Sequence, residues 1–453
     1  MIVVTLILLL SYLLLLKGIN RGHFVFSPIG IHALFLSAGI VLPAIYLRAY
    51  EPMFEVGVMY MPASGMLLRV LDLALIGLSL GAVTAIWFCP RPSQHSGFRD
   101  DVPRQRVCGM LIAVFGLTAF FFYNNADLYR TLFTEIWHTT DVFDLIQDTR
   151  IDALYGSTYA IQGVTRVLPL LILLLFSRWY ISGNRALRQF ALILLVCDFA
   201  CLFVVGIRAT QICVLVQLGL LRNYFKPFRS GRVLLYGATI CTLLIFGTAL
   251  KFGFGFSDSG ILFSEVLTHV AERISLGAKH LQYVLALFPA ELEHRHGMTY
   301  VQDFVSLIPS PLKRSIFSAN YWLDFNGFLY QRLYGYEGGT TTDTLIGEFY
   351  ANFGFVGVGV GSFLYGFVLQ TLSTRFAQQA WRETSRITVA IFLSYYLAHS
   401  TIEGLGETYF VSALWATLFY LFLFPSRVLA ALTFHRTQDH TGSAKYAHAG
   451  IQT

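Results

Sequence analysis

Apolar residues run in long blocks from one end of the chain to the other, separated by shorter polar stretches rich in arginine. The blocks match the ~17–25 residues that carry a helix across a ~30 Å hydrocarbon core, and they lack the two-residue alternation of a membrane strand. They predict an all-α polytopic bundle and exclude a β-barrel. We place about eleven spans, at roughly 1–16, 24–47, 65–89, 107–123, 158–180, 189–206, 208–221, 233–250, 345–370, 387–402 and 408–424. The first block has no basic leading segment and no small-x-small cleavage site before Lys17, so it is read as a retained span and not a signal peptide. The expected organisation is eight spans within 1–251, a large extracytoplasmic loop over 252–344, three spans within 345–424 and a tail at 425–453.

Composition agrees with the pattern. Of 453 residues, 55% are hydrophobic and 13% charged, where soluble domains carry roughly 25% charged residues, and the mean hydropathy is +0.61. The net charge of +6 is distributed as topology signal. Arg91, Arg99, Arg104 and Arg106 crowd one loop; Arg178, Arg185 and Arg188 another; then Arg222, Lys226, Arg229 and Arg232; then Arg375, Arg382 and Arg386; and Arg427, Arg436 and Lys445 the tail. Basic loops face the cytoplasm, which places the N-terminus outside and the C-terminus inside, and they call for no nucleic-acid partner. The cysteines lie in or beside spans with no C-x-x-C and no Cys/His ligand spacing, so neither a disulfide framework nor a zinc site is indicated. No internal repeat is visible, which counts against transporter folds built from duplicated halves.

About 94 residues separate Leu250 from Leu345, the one long hydrophilic excursion in the chain. Loops of that length are seldom idle. Leu262, Val266, Val270 and Ile274 share one face of a predicted helix, opposite Glu265, Glu272, Lys279 and Gln282, as expected for a helix lying on the membrane surface or over the mouth of the bundle. Further on, "SANYWLDFNGFLYQRLYGYEGG" mixes aromatic rings with amides and carboxylates. This suits a saccharide, whose C–H faces stack on rings and whose hydroxyls meet polar groups; an interfacial aromatic belt is the competing reading.

Ionisable residues inside spans are costly, and by default they are functional candidates. Arg69 and Asp72 are spaced i, i+3 and neutralise each other; Asp198 lies mid-span; Arg166 lies about eight residues into its span, too deep for simple snorkelling. Arg208 is the most telling. The 33 residues from Gln189 to Leu221 carry basic flanks at both ends, so the chain must go in and come back. Each limb is then about 24 Å long, short of a full crossing, and the turn "VVGIRATQ" is submerged. An arginine in such a cavity implies an anion. Glu348 and Asn352 stand one helical turn apart where a polar loop enters the span containing Gly354, Gly357, Gly359 and Gly361. They either line the mouth of the cavity above a seam of close helix packing or hydrogen-bond neighbouring loop backbone.

A submerged Gly-x-Arg turn, a large extracytoplasmic loop and then a Gly-rich span resemble the Wzy-type polymerases of O-antigen and related oligosaccharide repeat units. The echo is closest in the enterobacterial common antigen branch. The residues that carry it are Arg273, Ile308-Pro309-Ser310, Ser318-Ala319-Asn320-Tyr321 and Thr344-Leu345-Ile346-Gly347, together with "GEFYANFGFVG". The resemblance covers about half the chain, Gln189 to Glu403, and departs at Ile402, where the family pattern has arginine before Glu403-Gly404. It implies a glycosyltransferase-C-like membrane enzyme of the bacterial inner membrane that transfers a glycan from undecaprenyl pyrophosphate to an incoming lipid-linked unit on the periplasmic face. No cofactor and no metal are implied, and the partners are the lipid-linked glycans, a flippase and a chain-length regulator. Arg166, Arg208, Arg273 and Arg314 would bind the pyrophosphate, with Asn320, Tyr321 and Asn352 contacting substrate. For the base we expect His399 oriented by Glu403 at i+4, with His280 and Glu348 as rivals. His294 and His296 have no third metal ligand at a telling spacing. An O-antigen ligase and a flippase of lipid-linked sugars are the alternatives.

Overall fold

The computed structural model describes residues 1–20, 23–51, 53–56, 59–62, 64–89, 97–124, 165–205, 208–228, 235–240, 263–308, 315–317, 325–335 and 341–425, with a few single positions between them. Helices dominate. They are α1 (Ile2–Asn20), α2 (Pro28–Tyr50), α3 (Gly65–Phe88), α4 (Arg104–Asn124), α5 (Thr165–Ser182), α6 (Arg185–Val205), α7 (Arg208–Phe225), α8 (Phe263–Leu287), α9 (Met298–Ser306), α10 (Phe325–Tyr334), α11 (Leu345–Ala377), α12 (Thr384–Glu403) and α13 (Val411–Leu423). Among the described residues, α1 to α5 and α11 are the helices long and apolar enough to cross a membrane. The chain is therefore an all-α membrane protein. The other expected spans coincide with α6, α7, α12 and α13, of which α13 is shorter and α7 and α12 are more polar, while the side chains at the end of α6 and most of 233–250 lie outside the described residues. The expected turn between α6 and α7, at Gly206 and Ile207, lies outside the described residues.

One element was not anticipated. A two-stranded antiparallel hairpin, Met53–Val56 with Met59–Pro62, follows α2 and buries Phe54 and Val56. Lys279 on α8 stands 6.0 Å from the centre of the Phe54 ring, so the hairpin serves as a seat for the loop helix.

The bundle is built around α3 and α11, which touch backbone to backbone. A Cβ on Gly81 would stand 2.0 Å from the Phe363 carbonyl oxygen, one on Gly77 2.8 Å from that of Gly359, and one on Gly366 2.5 Å from that of Leu78. The close seam thus uses Gly77, Gly81, Gly359 and Gly366, Gly359 facing Leu73 of α3. This bears out the expected role for Gly359 and corrects it for Gly357 and Gly361, which face Phe349 of their own helix, because α11 is kinked at Gly354 (φ 61°, ψ −146°). A kink frees carbonyls, and here the Ala351 and Asn352 oxygens accept instead from the backbone N–H groups of Arg295 (2.9 Å) and His296 (3.0 Å).

The loop helix α8 reaches well into the bundle. A π turn at Ser37–Val41 interrupts α2, and a Cβ on Gly277 of α8 would lie 2.9 Å from the Gly39 carbonyl oxygen. Ile402, near the end of α12, packs on the same Gly39. Ile29, close to the start of α2, donates to Ser373 near the end of α11 (2.9 Å). Gly39 is ten residues further along, a rise of about 15 Å. The meeting point of α2, α8 and α12 therefore lies roughly halfway along an apolar helix.

Candidate functional site

The first turns of α11, from Leu345 to Asn352, are buried on every side. Thr344 opens the helix, its hydroxyl accepting from Gly347 N–H (3.0 Å). Glu348, 1% exposed, accepts through Oε2 from Leu405 N–H (3.0 Å). Asn352, fully buried, is committed to protein: Oδ1 accepts from Gly297 N–H (2.9 Å) and Thr299 N–H (3.4 Å), and Nδ2 donates to Thr299 Oγ1 (2.5 Å) and the Glu348 carbonyl (2.9 Å). It satisfies the start of α9, where backbone donors have no intrahelical partner. Of the two roles open to it, the structure displays backbone hydrogen bonding, and its amide is not available to a sugar.

The segment Glu403-Gly404-Leu405-Gly406 ends α12 and passes between buried carboxylates. A Cβ on Gly404 (φ 72°) would lie 2.4 Å from Asp343 Oδ1, and one on Gly406 would lie 2.5 Å from Asp303 Oδ1. Asp303 and Asp343 are 2% and 0% exposed. Asp303 accepts from Phe325 N–H at the start of α10 (3.3 Å). Asn326 then ties the parts together: Oδ1 accepts from Asp343 N–H (3.1 Å) and Nδ2 donates to the Glu403 carbonyl (3.1 Å). Only glycine lets a chain pass this close to two carboxylates.

On the other side of the α12 terminus stands a second group. His399, 7% exposed, places Nδ1 3.4 Å from Glu403 Oε2, stacks on Tyr395 at 5.5 Å and meets the Phe35 ring edge to face at 5.2 Å. The Arg166 guanidinium carbon lies 4.7 Å from the centre of the Tyr396 ring, and both Arg166 and Glu403 are within electrostatic reach of His399. Cys213 of α7 receives the Tyr395 hydroxyl at 2.7 Å. Arg166 of α5 is thereby brought to the i, i+4 pair His399 and Glu403 of α12, more than 230 residues away in sequence.

His280 on α8 is in a different setting. It is 3% exposed, its Nδ1 lies 2.9 Å from the Thr342 carbonyl and its ring is surrounded by the Thr341 and Thr342 hydroxyls. Burial pushes its pKa down to about 4, so at neutral pH it is an uncharged imidazole holding the loop before α11. Arg208 and Arg273 begin α7 and lie on α8, and of their side chains nothing further is described; Arg314, Asn320 and Tyr321 lie outside the described residues. His294 packs against Phe288 and Tyr350. Among the described residues no group of three or more His, Cys, Asp or Glu stands where it would hold a metal.

Sequence reasoning missed Asp303 and Asp343, and it read Asn326 only as one of the amides of an aromatic surface suited to a saccharide. Asp343 immediately precedes the Thr344-Leu345-Ile346-Gly347 motif, and an aspartate next to the start of an apolar span was the available signal. No protein-family model, curated protein or solved structure matches the chain.

Proposed function

We propose that this chain polymerises undecaprenyl-pyrophosphate-linked oligosaccharide repeat units, moving the growing glycan to the non-reducing end of an incoming unit on the periplasmic face of the bacterial inner membrane. The observation that carries the reading is the meeting of a cation, an imidazole and a carboxylate, Arg166, His399 and Glu403, beside the buried carboxylates of the Gly404–Gly406 turn, level with the middle of α2. A substrate that is lipid at one end and sugar at the other needs such a half-submerged polar site. In the reaction the acceptor hydroxyl attacks the anomeric carbon, its C–O bond forms as the bond to pyrophosphate breaks, and His399 takes the proton. Glu403 orients the imidazole and stabilises its charged form. Arg166, with Arg208 and Arg273 as further cations, meets the charge that develops on the departing undecaprenyl pyrophosphate. Glu348 and the two aspartates shape the turn and are not assigned to the proton transfer.

The finer architecture belongs to the same proposal: about eleven spans, a glycosyltransferase-C-like layout, and an N-terminus facing the periplasm. A flippase and a chain-length regulator are the expected companions. Purified protein incubated with a lipid-linked repeat unit, without added metal, should produce a ladder of products spaced by one unit on a gel. Unchanged substrate under conditions where the protein is folded would remove the polymerase reading.

A further inference from the structure

The proposed reaction leaves Asp198 of α6 unused. That helix is sided: Phe190, Ile193 and Val196 are exposed, whereas Ala191, Leu194 and Asp198, spaced i, i+3 and i+7, are buried. Asp198 is 0% exposed, and neither of its carboxyl oxygens has a hydrogen-bond partner. α6 packs on α7, where the described titratable side chains are committed elsewhere. Cys213 Sγ accepts from the Tyr395 hydroxyl (2.7 Å), Tyr224 donates to the Trp381 carbonyl, and Arg222 donates to that of Lys226. On α5, the preceding helix, Arg166 lies over the Tyr396 ring, Arg178 binds Asp100 (2.7 Å) and Tyr180 stacks on Phe225. On α6 itself Arg188 is ten residues from Asp198 and lies over the Trp179 ring.

We infer that Asp198 is a proton-binding site within the bundle, its carboxyl occupied at neutral pH, and that α6 closes on α7 only in this neutral form. An unpaired carboxylate is far more costly to bury than a carboxylic acid, and taking up a proton relieves a buried acid that has no partner. A metal cation is the competing ligand. It would need several oxygen ligands, and among the described residues no group of three or more His, Cys, Asp or Glu is assembled to hold one. Loss of the proton would strand a charge in an apolar setting, so its release requires the two helices to part. The inference stands apart from the proposed reaction, whose cation, base and orienting carboxylate lie on α5 and α12.

The test uses the full chain in a neutral detergent at neutral pH and compares the infrared spectra of wild type and Asp198→Asn, an isostere of the protonated acid. Their difference should carry the C=O band of a neutral carboxylic acid, moved to lower frequency when aspartate is isotope-labelled at its carboxyl carbon. Carboxylate bands in its place would overturn the assignment and show Asp198 paired with a cation, Arg208 included. Loss of the acid band when choline is replaced by sodium at equal ionic strength would overturn it too, and make the ligand a metal ion. Unfolding gives a second readout. The folded chain holds one proton that the unfolded chain releases, so stability falls as pH rises, by up to about tenfold in the folding ratio per pH unit. Above pH 6.5, where His280 is largely uncharged in the unfolded chain as well, Asp198→Asn should therefore gain on wild type as pH rises, and parallel curves would count against the proton site as decisively as carboxylate bands. Should the amide variant fail to fold, Asp198→Leu, which cannot ionise either, provides the same subtraction and the same comparison.

Discussion

Gly404→Ala is the sharpest test of the turn that joins the two halves of the site. Its φ of 72° and ψ of 177° lie in a region that only glycine occupies at ease, and forcing another residue there costs about 1–3 kcal/mol. The new methyl would also stand 2.4 Å from Asp343 Oδ1, 2.7 Å from Oδ2 and 2.8 Å from Cγ, closer than real side chains approach. Relieving that overlap requires a buried carboxylate or the turn itself to move, at about another 1–3 kcal/mol. The sum, about 2–6 kcal/mol, is a large share of the ~5–15 kcal/mol that holds a protein folded. Gly406→Ala separates the two contributions, since it brings a methyl within 2.2 Å of Asp303 Cγ without a positive φ. Gly18→Ala is the control, with nothing within 4 Å of the added atom and a helical setting that favours alanine. Thermal unfolding in detergent, read beside the product ladder, should rank the variants with Gly404→Ala worst, Gly406→Ala next and Gly18→Ala at or above wild type. A Gly404→Ala protein within ~0.5 kcal/mol of wild type and fully active would refute the packing described here.

His280 makes stability depend on pH. Its pKa is about 4 in the folded chain against 6.5 ordinarily, so between these values the unfolded state binds the extra proton; stability is complete above pH 6.5, falls by about 3 kcal/mol as pH drops to 4 and is then flat. Denaturation followed across that window should show the slope in wild type and its loss in His280→Gln. His399→Ala should keep donor binding and lose turnover by ~10²-fold or more, the scale of a general base; near-normal ladders would move the proton acceptor elsewhere. For orientation, single cysteines at Ser93, Ser230 and Ser310 in a cysteine-free background should react with an impermeant thiol reagent in intact cells only at Ser310, and labelling at either of the others reverses the topology.

Span positions were legible because a bilayer imposes length and apolarity on a helix directly, and α1, α3 and α4 begin and end within a few residues of the hydropathy blocks. Less legible were the kink in α11 and the depth reached by α8. Gly354 looked like one small residue in a packing stripe, and its positive φ becomes necessary only because Arg295 and His296 donate to the carbonyls it frees, a partnership across more than fifty residues. The hairpin at Met53–Pro62 escaped for another reason: four-residue strands carry too few positions for a period of two to register.

In the site, Arg166 stood out as a charge inside an apolar span, and His399 and Glu403 as a pair spaced i, i+4 at the outer end of one. The sequence was silent on Asp303 and Asp343, which lie in polar stretches where acidic residues are ordinary. What makes them unusual is burial, at 2% and 0% exposure, beside Glu348 at 1%. Burying three carboxylates is unfavourable unless hydrogen bonds offset the lost water. Leu405 N–H supplies one for Glu348 and Phe325 N–H one for Asp303, while Asn326 holds the backbones of Asp343 and Glu403. The bonds from Leu405 N–H to Glu348 and from Asn326 to the Glu403 carbonyl tie α11 and α10 to the end of α12, while the other two join α10 to α9 and to the residue before Thr344. Glu348, with Asp303 and Asp343 packed on Gly406 and Gly404, therefore fixes where α12 stops, and with it where Glu403 meets His399, which is the preorganisation that the proposed proton transfer requires.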